Sequence, residues 1–219
     1  MNYLAHALPF LDRPYVAAGT GVPDWLTVVD RRVRVRSKQA QPLVDGCGTP
    51  LAAVAGGIVQ HIRDDARFHE SQAFFELSLE LTVRARDAVG PDSGFRPSFL
   101  GHLLVEVLLD ATLTAEKPDR LEAYYQALDQ VDAHVVQDAV NRMAGRPTDR
   151  LATLIRAFRR DRILWDYLDD GKLLKRLDRV MRRVNFAPLP DSFVDLLPDA
   201  RRLVDRRKDD LLHEIPTSG

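Results

Sequence analysis

Two sets of side chains in this sequence carry metal-type donors at four-residue intervals: His61, Asp65 and His69, then His102, Glu106 and Asp110. On a helix each such step turns by about 40° and rises about 6 Å, so each set forms a polar stripe along one face. Imidazole nitrogen and carboxylate oxygen without thiolate suit Mn, Fe or Zn better than calcium, with Mg also admitted. The ends of a stripe lie about 12 Å apart along the axis, too far for one ion to bind both. Adjacent pairs are therefore the expected ligands. The third member is left as an outer group, a general base or a ligand to a second ion.

His6 and Asp24 complete the candidate metal ligands. His6 ends the apolar run Asn2-Tyr3-Leu4-Ala5, and Asp24 follows what reads as a glycine-rich turn, Gly19-Thr20-Gly21-Val22-Pro23. Each also suits a plainer role, a hydrogen-bonded core histidine or a helix cap. His134 and His213 fall in strongly polar segments and read as surface residues.

The elements that must hold these groups are helical. From Pro50 onward apolar residues recur at three- and four-residue spacing between prolines and glycines. The pattern predicts helices over Leu51 to Ser71, over Phe74 to Val89, and from Pro97-Ser98 onward. A loop containing Asp92, Ser93 and Gly94 separates the last two. A long helix is expected from Asp119 to about Ala144, closed by a left-handed Gly145, followed by Thr148-capped Asp149 to Arg160. Asp170 to Val184 and Ser192 to His213 complete the set. Arg31-Arg32-Val33-Arg34-Val35-Arg36 alternates and predicts a short extended piece, either a solvated connector or a basic lip for an acidic partner or a phosphate. The helix of the second stripe is apolar nearly all round, with Phe99, Leu100, Leu103, Leu104, Val105, Val107, Leu108 and Leu109. Ionised carboxylates inside such a segment require cations or hydrogen-bond donors as partners.

Composition sets the frame. The chain has 219 residues, 45% hydrophobic and 29% charged, which suits an ordinary globule. We expect one all-α domain over 1–219, a multi-helix bundle with its last helix at about 192–213. Lys plus Arg number 31 against 32 Asp plus Glu, so the molecule has no overall cationic field and nucleic acid is not an expected partner. Cys47 is the single cysteine, which excludes an intramolecular disulfide and a cysteine-based zinc site and fits a reducing cytoplasm. The first basic residue is Arg13, unlike a signal peptide. The apolar run Phe99 to Leu113 is interrupted and short, so no membrane segment is expected. Oligomeric state is left open.

Taken in order, several landmarks resemble the acyl carrier protein phosphodiesterase family, a divergent branch of HD-type metal-dependent phosphohydrolases. They are Met1-Asn2-Tyr3-Leu4-Ala5-His6, the Gly19 to Asp24-Trp25 turn, Ala55-Gly56-Gly57-Ile58-Val59-Gln60-His61 with Asp65, Gly101-His102, and the segment Phe158 to Val184. The chain departs from the family at Gly101, where an Asp precedes the histidine, at Ile62, where an Arg follows it, and at Phe68-His69, where Thr-Asp is usual. It has one extra glycine in the first helix. The resemblance implies an HD-like helical bundle and release of 4′-phosphopantetheine from holo-acyl carrier protein.

The mechanism expected of a metal cluster is phosphodiester hydrolysis, with a bound ion acidifying water and polarising a phosphoryl oxygen. Asp65 and Glu106 are the carboxylates expected to serve catalysis, a spare carboxylate or imidazole accepting the proton of the water. An acidic carrier could dock on Arg159, Arg160 and Arg162, or on Arg182 and Arg183, runs that equally suit solvated faces. Two alternatives use the same residues: a small-molecule or nucleotide phosphohydrolase, and a non-catalytic helical protein with a buried polar network.

Overall fold

The structure, a computed structural model, describes residues 2–45, 48–90 and 96–213. Met1, Cys47 and the expected loop at Asp92, Ser93 and Gly94 lie outside the described residues. In chain order the helices are α1 Tyr3–Ala7, α2 Pro14–Val29, α3 Ser37–Ala40, α4 Pro50–Glu70, α5 Gln72–Val89, α6 Pro97–Glu116, α7 Pro118–Asp129, α8 Ala133–Met143, α9 Leu151–Asp161, α10 Asp170–Arg183 and α11 Leu197–His213. Short 3-10 turns occupy Leu8–Phe10, Gln41–Leu43, Ile163–Leu168 and Asp191–Leu196. No strand occurs among the described residues, and the fold is all-α.

The helices group into two compact units. One contains Tyr3–Arg67 and Asp119–Arg162; the other contains Phe68–Pro118 and residues 163–213. The change of unit falls in the last turn of α4.

In the first unit an aromatic cluster organises the core. Tyr3 lies against Phe158 at 5.0 Å between ring centroids and Trp25 meets Phe158 edge-on at 5.4 Å. Tyr125 packs on Phe158 as well, and the Arg162 guanidinium sits 4.7 Å over the Tyr125 ring. This cluster holds α1, whose five residues are all buried although it is too short to persist alone. Helices α2 and α4 touch backbone to backbone: a Cβ on Gly57 would stand 2.7 Å from the Cα of Gly19.

That contact corrects the reading of residues 19–23 as a turn. Gly19, Gly21 and Pro23 all lie inside α2. Gly19 admits the α4 backbone, and a Cβ on Gly21 would meet the Trp25 ring at 2.9 Å. Asp24 is therefore a mid-helix residue. The long helix expected over Asp119 to Ala144 is likewise two helices, because Asp132 caps α8 by accepting from the His134 backbone N–H at 2.8 Å. Arg159 Nη1 donates to the carbonyls of Leu128 and Val131 at this break, at 3.2 and 2.7 Å. Gly145 does not adopt the expected left-handed conformation; Ala144 ends α8 in extended geometry. Residues 33–36 run irregularly into α3 without strand pairing.

In the second unit α5 and α6 form the main layer, with α11 packed on both. Leu77 and Leu81 of α5 and Leu100, Leu104 and Leu108 of α6 are essentially inaccessible. Each such leucine contributes about 1.5–3 kcal/mol by burial. The two helices approach closely at Gly101, where a Cβ would stand 2.5 Å from the Ser78 carbonyl oxygen. By length and composition α6 is apolar enough to cross a membrane, and 78% of that window is buried in the structure. Helix α10 buries Leu173, Leu177 and Met181 along one face. The expected start of the last helix at Ser192 is a 3-10 turn, and α11 proper begins at Leu197.

Candidate functional site

Ser71 caps α5, accepting from the Phe74 backbone N–H at 3.1 Å and donating to the Phe68 carbonyl at 2.8 Å. This corner fixes His69 beside α6. Its Nε2 lies 3.1 Å from Glu106 Oε1, and His102 Nε2 lies 3.4 Å from the same oxygen. The two imidazole rings are 4.5 Å apart, and Phe74 packs 4.7 Å from His69 and edge-on 4.8 Å from His102. His69, His102 and Glu106 thus form a group whose ligand atoms all lie within 4.8 Å of one another. Its mouth is open: the His69 and His102 side chains are 27% and 40% exposed, while Glu106 beneath them is 8% exposed.

The Glu106 carboxyl is held well below the usual carboxylate range. Burial acts to raise it, against the hydrogen bonds from His102 and His69 and the His102 charge, which lower it. Glu106 is therefore an anion at neutral pH, the form that binds metal.

A second group lies in the first unit. His6 from α1, His61 and Asp65 from α4 bring ligand atoms within 4.8 Å of one another. The His6 and His61 rings are 4.4 Å apart, and both residues are buried, whereas Asp65 is half-buried. Gly57 stands one turn before His61, so the α2–α4 approach and the stacking of Tyr3 position this group. The buried Nδ1 of His61 has no hydrogen-bond partner among the described residues. A cation would satisfy it. Both donor sets fit a divalent ion: first-row metals bind such atoms at about 2.0–2.2 Å, which requires ligand atoms a few ångströms apart.

The first expected stripe is thus divided. His61 and Asp65 join His6, whereas His69 joins His102 and Glu106. Asp110 is buried but joins neither group, consistent with its position one turn beyond Glu106. Asp24 is half-buried and also joins neither. His134 and His213 are exposed.

Asp64 is the residue the sequence reading overlooked. It is 1% exposed, with Oδ2 4.0 Å from His6 Nδ1 and Oδ1 accepting from Gln60 Nε2 at 2.8 Å. Burial pushes its carboxyl up, against the Gln60 hydrogen bond and the nearby Arg67 charge. The i, i+3 spacing from His61 was the available signal, since i+3 and i+4 share a helix face. Gln60 also lines a cavity of about 680 Å³ with Phe10, Arg13, Tyr15, Thr49 and Gly56, so the Gln60–Asp64 hydrogen bond connects a cavity wall to the buried group.

Comparison with models of protein families, with curated proteins and with solved structures found no match to this chain.

Proposed function

We propose that the protein is a divalent-metal-dependent phosphodiester hydrolase whose reaction centre is His69, His102 and Glu106. One observation carries the reading: two imidazoles and one ionised carboxylate converge at a solvent-open mouth. Two histidines and a glutamate with an open position are a recurrent catalytic zinc ligand set. When bound, the ion would supply Lewis acidity at a phosphoryl oxygen and lower the pKa of water.

The chain's own residues divide the remaining work. Glu106 sits beneath both imidazoles and directs their Nε2 atoms to one point. Phe74 closes one side of both rings against water. A carboxylate held this far below neutrality is a weak general base, so Glu106 serves as ligand and counter-charge. The buried His6, His61 and Asp65 group lacks an open mouth on its histidines and suits a structural ion. The resemblance to acyl carrier protein phosphodiesterases makes holo-carrier protein the first substrate to try. Generic phosphodiesters and nucleotides test the wider class.

The deciding experiment is elemental analysis of protein purified without chelator, followed by assays on bis(p-nitrophenyl) phosphate and holo-carrier protein. The reading expects bound Mn, Fe or Zn and turnover lost in His102→Ala. Metal-free protein unaffected by added Mn, Fe or Zn, or full turnover in His102→Ala, would overturn it.

A further inference from the structure

A hollow of about 340 Å³ in the first unit is lined by Arg32, Arg34, Arg36, Lys38 and Arg146, with Gln39 and Gly145 completing the wall. The five cations come from two segments more than one hundred positions apart in the chain. Both segments are fixed. Val33 and Val35 are 1% and 9% exposed, so the alternation anchors the connector inward and turns Arg34 and Arg36 outward. Gln39 Oε1 accepts from the Arg36 backbone N–H at 2.8 Å, and Arg150 Nη1 donates to the Val29 carbonyl at 3.2 Å. On the other side Asn141 clamps Thr148 twice, at 2.8 and 3.0 Å, and so brackets the loop that carries Arg146.

The charges are poorly compensated. Asp30 pairs with Arg32 at 3.4 Å, and its carboxyl is held below the ordinary range by the Arg32 backbone N–H, by the Arg32 side chain and by the Arg146 charge. Arg34, Arg36, Lys38 and Arg146 have no ion pair among the described residues. Like charges held together on a fixed backbone repel, and a bound anion would relieve that repulsion.

We propose that this hollow binds a compact polyphosphate group, the di- or triphosphate portion of a small ligand. A phosphoryl group carries more than one negative charge and three acceptor oxygens, which suits several guanidinium forks at once. A single monoanion would leave most of the five cations uncompensated. No aromatic side chain lines the hollow on which bases of a single-stranded nucleic acid could stack. This site is independent of the proposed reaction centre, and none of its residues belongs to either candidate metal group.

The test is calorimetric titration of the full chain with tripolyphosphate and with orthophosphate at matched ionic strength, on the natural protein, on Arg34→Gln/Arg36→Gln/Arg146→Gln and on His102→Ala. Tripolyphosphate is expected to bind about tenfold or more tightly than orthophosphate. The triple variant should weaken it by about tenfold or more, since each charge-assisted hydrogen bond lost is substantial. Circular dichroism of the triple variant should be unchanged. Binding should persist in His102→Ala, whatever the outcome for phosphodiesterase activity. Unchanged affinity in the triple variant, loss in His102→Ala alone, or tighter binding of an oligoglutamate or oligodeoxythymidylate of equal charge would overturn the proposal.

Discussion

Gly57 and Gly19 bring helices α4 and α2 into backbone contact, and the two neighbouring glycines of α4 have opposite surroundings. A Cβ on Gly57 would lie 2.7 Å from Gly19 Cα and 2.8 Å from the Thr20 nitrogen, whereas one on Gly56 would meet only a Val44 methyl at 4.0 Å. Gly56→Ala is expected to stabilise the protein by about 0.5–1 kcal/mol through helix propensity. Gly57→Ala is expected to destabilise it by about 1–3 kcal/mol, because the obstruction is backbone that cannot rotate away. Urea denaturation of both variants tests the pair, and equal effects would refute the assigned crossing.

Gly101 is a position where the close approach of α5 and α6 leaves no room for a side chain. An Asp side chain begins with a Cβ, and that atom would stand 2.5 Å from the Ser78 carbonyl and 2.7 Å from the Thr82 nitrogen. Gly101→Asp should therefore lose about 3 kcal/mol or more, combining steric displacement with a buried unpaired carboxylate. It should not create an Asp-His metal pair with His102. Recovery of soluble Gly101→Asp with a melting temperature near that of the natural protein would disprove this account of the α5–α6 packing.

These glycines also show what was legible in the sequence. Helices α4, α5 and α6 follow from apolar periodicity, and the polar residues at i, i+4 on them mark both candidate sites. Helix α2 was hidden because Gly19, Gly21 and Pro23 carry the local signals of a turn, and only the α4 backbone and the Trp25 ring reveal that the glycines serve close packing. The break at Asp132 was hidden by continuous apolar spacing across α7 and α8, although Asp is a favoured cap. The division of His61, Asp65 and His69 between two groups depends on which distant helices supply His6 and His102. That is a tertiary fact, and no spacing within α4 encodes it.

Glu106 predicts an acid limb in stability. Its folded pKa lies below its ordinary value near 4.5, so the ionised form is favoured by folding. The contribution is complete above that ordinary value and is lost as pH falls through the folded pKa. Glu106→Gln should cost about 1.5–3 kcal/mol at pH 7, where charge-assisted bonds to His69 and His102 are removed. The difference between natural protein and variant should shrink as the pH is lowered below 4. Urea midpoints across that range provide the check, and a difference that grows on acidification would refute the sign.

The two histidine groups should separate when metal and stability are measured together. His61 is 5% exposed and His102 is 40% exposed at the side chain, so His61→Ala leaves a buried void and His102→Ala does not. His61→Ala is expected to lower stability by about 2–4 kcal/mol without added metal, and His102→Ala by less than about 1 kcal/mol. A metal at one hundred times its dissociation constant should stabilise the natural protein by about 2.7 kcal/mol per occupied site. In His102→Ala the increment from the open site should vanish while that from the buried site remains, because α1 still places His6 against His61. Thermal melts with Zn or Mn, each reversed by chelator, read both effects. Loss of the entire metal increment in His102→Ala would mean that the buried group holds no ion.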